Sequence, residues 1–266
     1  MDKFPISVCT WSLQKSISEV CDILDAMEVD GMHLALGPAL DGDEEYLKIV
    51  KARGMRISCT MLGFPWENYS TLETIRKTGG IAPDEHWETA LDLFKRAAKM
   101  TAELGAPYLS LHAGFIDHED PAYAAKFYER IRIFGDIAAE NGIDFLMETG
   151  QETGDDLEHF LKELNHDHVF LNLDPANLIL YNKDTPLEAL PKLAPWIRHV
   201  HAKDAVHTQP GTWGIEVAWG DGEVNTYAFL KKLEELGFKG SIAVEREAGN
   251  SRIRDIAKAV KRLRAY

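Results

Sequence analysis

The chain has 266 residues, 45% of them hydrophobic, and a formal charge of −14. That is enough apolar material for one large core, and too much negative charge for nucleic acid or an anionic membrane to be a natural partner. Its three cysteines, Cys9, Cys21 and Cys59, are too few and too scattered for a disulfide framework or a thiolate cluster, and read as small buried hydrophobes in a reducing, cytoplasmic setting. No run of about 18 apolar residues is free of charge, and the opening MDKFPISVCTWSL has no long apolar stretch after its lysine, so neither membrane insertion nor secretion is expected.

Short β-rich runs alternate with longer amphipathic segments, the pattern of βα units around a parallel sheet. In chain order the predicted strands are 6–10, 29–34, 55–61, 108–112, 143–148, 169–174, 197–204 and 241–247. Helical periodicity is clear over 84–103 and 122–140, and Gly54, Gly105, Gly142 and Gly240 precede strands as expected helix terminators. The longest predicted loops, 62–83 and 205–224, both follow strands. No linker or low-complexity stretch interrupts the alternation, so residues 1–266 are expected to form one α/β domain, a (β/α)8 TIM barrel with functional loops after its strands.

Successive strand side chains point to opposite faces, and only one face of a barrel strand meets the helices. In the later strands the aliphatic set is consistent: Leu109 and Leu111; Ile143, Phe145 and Met147; Val169, Leu171 and Leu173; Val200 and Ala202; Ile242 and Val244. The opposite set then points inward and ends in polar groups: His112, Glu148, Asp174, His201 with Lys203, and Glu245. A purely structural interior favours Val, Ile and Leu in those layers, so the polar residues need a chemical reason. Three carboxylates converging on one point repel strongly unless a cation lies between them. Glu148, Asp174, His201 and Glu245 are therefore expected to ligate one divalent metal ion. Their oxygen-rich set with one nitrogen suits Mn²⁺, Mg²⁺ or Co²⁺ and admits Zn²⁺. The alternative for any single strand end is an ordinary ion pair or a helix cap.

The stretches LSLHAG (109–114), FLMETG (145–150), LNLDPANL (171–178), IRHVHAKD (197–204), WGDGEVN (219–225) and GSIAVERE (240–247) resemble, in order and type, the xylose isomerase-like barrels. That family includes sugar phosphate isomerases and epimerases, ketose 3-epimerases, inosose dehydratases and apurinic endonucleases. The early third is similar only through SVCTWSL and VDGMHLAL. The resemblance implies metal ligation by Glu148, Asp174, His201 and Glu245, the set that strand parity selects. It further implies a divalent-metal-dependent isomerase or epimerase of a small sugar or sugar phosphate, with Glu148 and Glu245 as catalytic proton carriers flanking an enediolate. A lyase or dehydratase acting on a keto-sugar, keto-inositol or keto-glycoside is the second reading, and a noncatalytic sugar-binding barrel the third.

Further candidates surround that set. His112, Asn177, Lys203, Glu247 and Trp11 are expected to contact substrate, and Phe64, Trp66 and Trp213 to wall a sugar site. Asn250, Ser251 and Arg252 open the last helix, where barrels can hold phosphate. Two departures from the family pattern matter. Asn177 stands where several relatives carry a second histidine, and Gly214, Ile215 and Glu216 stand where the trinuclear zinc endonucleases carry an Asp-x-His element. DNA repair is therefore not expected. The oligomeric state, a homo-oligomer included, is left open.

Overall fold

Every predicted β-rich run forms a strand. In the computed structural model, which describes residues 2–266, these are β1 (Ile6–Cys9), β2 (Gly31–Ala35), β3 (Arg56–Leu62), β4 (Tyr108–Leu111), β5 (Asp144–Glu148), β6 (Val169–Leu173) and β7 (Ile197–Ala202). A separate antiparallel hairpin of β8 (Asp204–Val206) and β9 (Ile215–Val217) follows, and β10 (Ile242–Val244) completes the ring. The barrel order is β1-β10-β7-β6-β5-β4-β3-β2, with β1 closing the circle by pairing in parallel with both β2 and β10.

The predicted outward aliphatic residues lie in the core between strands and helices; Leu109, Phe145, Leu171, Val200 and Ile242 are completely buried. Each such side chain contributes about 1.5–3 kcal/mol on burial. Phe94 and Phe134, on helices Trp87–Glu103 and Pro121–Glu140, stack at 3.9 Å between centroids, and both meet the Phe145 ring edge-on. This aromatic layer clamps two helices onto β5, whose last residue is Glu148.

Gly54, Gly105 and Gly142 take left-handed backbone angles at helix ends, as expected. Gly240 does not terminate a helix. That position belongs to Gly237, at φ 78°, immediately after the helix Thr226–Glu235 and its Leu236 cap. Gly240 is instead required by space, because a Cβ there would lie 2.2 Å from the Arg198 carbonyl oxygen.

The long segments after β3 and β7 are partly regular. Residues 62–83 contain the helix Leu72–Thr78, started by a reciprocal Thr71–Thr74 cap, and 205–224 contain most of the β8–β9 hairpin. The predicted seventh strand also stops early, at Ala202 rather than 204. The Asp204 carboxylate accepts hydrogen bonds from the backbone amides of Gly220 (2.8 Å), Gly222 (3.1 Å) and Val224 (3.1 Å), which draws the chain out of the barrel into the hairpin. The predicted helix over 84–103 begins with a 3-10 turn at Asp84–His86. The eighth barrel strand covers 242–244 rather than 241–247, because the amides of Glu247 and Ala248 bond to Glu216.

Candidate metal centre

Four strand tips converge at the C-terminal mouth. Glu148 ends β5, Asp174 follows β6, His201 lies in β7 and Glu245 follows β10, and one ligand atom from each lies within 4.8 Å of all the others. His201 Nδ1 is 3.3 Å from Glu148 Oε1, 3.3 Å from Glu245 Oε2 and 3.6 Å from Asp174 Oδ2. All four residues are buried. Asp174 divides its two oxygens. Oδ1 caps the helix Pro175–Leu180 by accepting from Ala176 N (2.8 Å) and Asn177 N (3.1 Å), while Oδ2 faces His201.

Asp174 Oδ2, His201 Nδ1 and Glu245 Oε2 are buried without a well-directed hydrogen-bond partner among the described residues; Lys203 Nζ, 2.9 Å from Glu245 Oε2, makes an ion-pair contact only. Orphaned buried acceptors are costly, and here they point at one another. Their demand for positive charge is visible in the titration directions. Burial pushes Glu148 up; burial also acts on Glu245, but Lys203 and His201 outweigh it and hold that carboxyl well below the usual range. Three oxygen donors and one imidazole nitrogen fit a divalent cation in both chemistry and spacing.

A buried polar network supports the imidazole from behind. His201 Nε2 is 3.0 Å from His33 Nδ1 and 3.0 Å from the Asn172 amide, and His33 Nε2 is 3.0 Å from Ser110 Oγ. Burial, reinforced by His201, keeps His33 neutral, so its Nδ1 can accept a hydrogen bond from His201 Nε2. Parity within β2 places His33 inward between Met32 and Leu34, but the later strands, from which the ligand set is read, carry no hint of it. Cys9 and Cys59 are fully buried and unpaired, as expected, with Cys9 Sγ 3.7 Å from His201 Nε2.

Above the four residues opens a cavity of about 740 Å³. The expected contact residues Trp11, His112, Asn177, Lys203 and Glu247 all line it, but several are already engaged. Trp11 Nε1 donates to Glu245 Oε1 (2.8 Å), Asn177 Nδ2 to Glu148 Oε1 (3.2 Å), and Lys203 Nζ contacts Glu247 Oε2 (2.7 Å). His112 sits between the Gln151 amide (3.1 Å) and the Tyr181 hydroxyl (3.2 Å), and burial, with Lys203 nearby, pulls its pKa down to about 3. It is a neutral hydrogen-bonding group at any ordinary pH.

Trp213 lines the cavity as expected, whereas Phe64 and Trp66 do not: they stack on each other at 4.7 Å and Trp66 packs on His86, forming the core of the 62–83 segment. Asn250, Ser251 and Arg252 border a different cleft, with Leu13 and Gln14. One wall residue without a sequence signal is Glu67. It is held by the amides of Phe64 (3.1 Å) and Gly80 (3.0 Å), lies 3.8 Å from His112 Nδ1, and is raised by burial to about 7. It sits in a loop, where no periodicity points a side chain in any direction.

The family model of the xylose isomerase-like TIM barrel matches residues 22–266. Among curated proteins the chain is similar to an inosose dehydratase of Geobacillus thermodenitrificans, 28% identical over 130 residues. That match covers 42% of this chain and 43% of the relative, less than half its length. Among solved structures it is similar to a xylose isomerase domain protein from Planctomyces limnophilus, with TM-score 0.89, 29% identity and coverage of 98% and 96%. It is also similar in fold to a xylose isomerase-like TIM barrel protein from Mycobacterium smegmatis in complex with magnesium, with TM-score 0.77, 19% identity and coverage of 99% and 96%, and to a 3-keto-D-glucoside 4-epimerase from E. coli, with TM-score 0.76, 18% identity and coverage of 99% and 100%. With its closed eight-stranded barrel, and with the family model spanning nearly its whole length, the chain belongs to the xylose isomerase-like TIM barrel family.

Proposed function

We propose that the protein is a divalent-metal-dependent isomerase or epimerase that removes a proton beside the carbonyl of a small polyhydroxylated ketone. The observation that carries this reading is the buried group of Glu148, Asp174, His201 and Glu245, three of whose inward atoms lack hydrogen-bond partners, on the floor of a cavity wide enough for a sugar. These four residues would hold the cation; Mg²⁺, Mn²⁺, Co²⁺ and Zn²⁺ all fit the donor set, and the Mycobacterium smegmatis neighbour was solved with magnesium. When bound, the ion supplies the positive charge that stabilises an enediolate.

The proton is carried by the protein's own groups. Glu148, steadied by Asn177, is one base of the pair. Glu245 is fixed by Trp11 and Lys203 and addresses the substrate from a different strand. Neutral His112 holds the Gln151 amide and the Tyr181 hydroxyl in place, and Tyr181 lines the cavity beside the substrate. A dehydratase is the second reading, favoured by the inosose dehydratases among the curated relatives and by Glu67. That carboxyl lies outside the ligand set and, at about 7, can hold a proton for a departing hydroxyl.

Incubation of the metal-loaded protein with polyhydroxy ketones in deuterated buffer tests both readings. Solvent deuterium in a product of otherwise unchanged mass indicates isomerisation or epimerisation, whereas loss of water indicates elimination. Glu148→Gln and Glu245→Gln are each expected to lower turnover by about 10²–10⁴-fold. Chelation is expected to abolish turnover. Full activity in both variants sinks the assignment.

A further inference from the structure

Lys203 is the single lysine or arginine lining the cavity among the described residues, against Glu67, Glu148, Glu216, Glu245 and Glu247. It is not free to meet a substrate anion: its ammonium, buried with the residue 4% exposed, lies 2.7 Å from Glu247, 2.9 Å from Glu245 and 3.6 Å from Asp174. A divalent ion leaves one negative charge on Glu148, Asp174 and Glu245 together, and Lys203 offsets it. Glu247 shares the same ammonium, so no lysine or arginine of the lining is left for a substrate anion.

Barrels commonly hold phosphate on amides contributed by the loops after their last two strands. Here that place is filled from within. Glu216, on β9, accepts from the amides of Glu247 (2.9 Å) and Ala248 (3.2 Å) and from Arg246 Nη1 (2.7 Å), while Arg246 Nε is taken by Asp255 (3.2 Å). What the wall does offer suits uncharged oxygens: the carboxyl groups of Glu67 and Glu247 line the cavity and can pair with hydroxyls.

Resting on the reading above, we infer that the substrate is an uncharged polyhydroxy ketone, and that Glu216 occupies the anion nook which would otherwise admit a phosphate ester or carboxylate. Like charges in a partly desolvated cavity repel far more than in water, so an anionic group is excluded by charge as well as by space.

Binding is measured on the full chain loaded with magnesium, by tryptophan fluorescence and calorimetry. The probes are a neutral ketose and its phosphate ester, D-fructose with D-fructose 6-phosphate and D-tagatose with D-tagatose 6-phosphate, and inorganic phosphate alone. The neutral member of each pair is expected to bind at least about tenfold more tightly, a discrimination typical of a misplaced charge. Glu216→Ala frees the nook and is expected to gain at least about tenfold in affinity for inorganic phosphate; Glu216→Ser, which also vacates it but keeps a small hydroxyl, gives the same direction if the alanine variant unfolds. Tighter binding of the esters to the unaltered protein, or phosphate affinity equal in the unaltered protein and both variants, overturns the inference. The two readings fail separately: absence of deuterium from every ketone removes the chemistry, whereas preference for the esters removes only the neutral substrate.

Discussion

Asp174 does two jobs with two oxygens, and substitution separates them. Asp174→Asn keeps an acceptor for the amides of Ala176 and Asn177 but loses the charge facing His201, so it is expected to hold near-normal thermal stability while divalent-metal affinity collapses in calorimetry. Asp174→Ala loses the cap as well and costs about 1 kcal/mol of stability besides. A position that serves only as a cap reverses the result: Asn and the native residue then bind metal alike. His33 acts one step further back, through the rear nitrogen of His201, and His33→Leu is expected to weaken metal binding about 10–100-fold with the cavity intact. The four inward tips were legible because β-strand parity needs only alternation, and Glu148, Asp174, His201 and Glu245 all fall on the face opposite the aliphatic residues. Glu67 and Glu216 were not, because each reaches the cavity through a loop or hairpin whose path is set by distant amides rather than by local period. Trp11 was legible as a wall aromatic, but its bond to Glu245 was not.

At the scale of elements, the barrel itself could be read from the sequence because each strand's aliphatic face and each helix's stripe demand the same layer between them. The ends could not, since single carboxylates decide them. Asp204 turns the chain after β7 by gathering the amides of Gly220, Gly222 and Val224, and a side chain at Gly222 would lie 2.3 Å from Asp204 Oδ1 and 2.6 Å from the Ala205 oxygen. Gly222→Ala is therefore expected to destabilise the protein by about 1–3 kcal/mol in urea unfolding and to release the hairpin. An unchanged midpoint shows that the turn tolerates the methyl group. Gly237 and Gly240 illustrate the same limit: both follow one helix, and only backbone angles and the nearness of the Arg198 carbonyl tell the terminator from the spacer.

For the molecule as a whole, buried carboxyls set the response to pH. Glu67 and Glu152 are raised by burial from an ordinary 4.5 to about 7 and about 8, so between those values the folded chain binds more protons than the unfolded one. Stability in chelator is accordingly expected to fall as pH rises through this window, by at most about 1.4 kcal/mol per unit for each group, and to be flat below it as far as these two are concerned. Glu67→Gln is expected to reduce the slope up to about pH 7 and Glu152→Gln to reduce it over the whole window up to about pH 8, leaving the region above 7 flat; unchanged slopes in both variants refute the assignment. The ring closure of β1 onto β10 has a last consequence. Residues 105–266 contain every candidate ligand, yet cut from the rest they leave β4 and β10 as bare edges, and they lack both Trp11 and His33, which brace Glu245 and His201. Such a half-molecule has the right donors in the right order and is expected to capture no magnesium, so the affinity belongs to the closed circle and not to the list of residues that touch the ion.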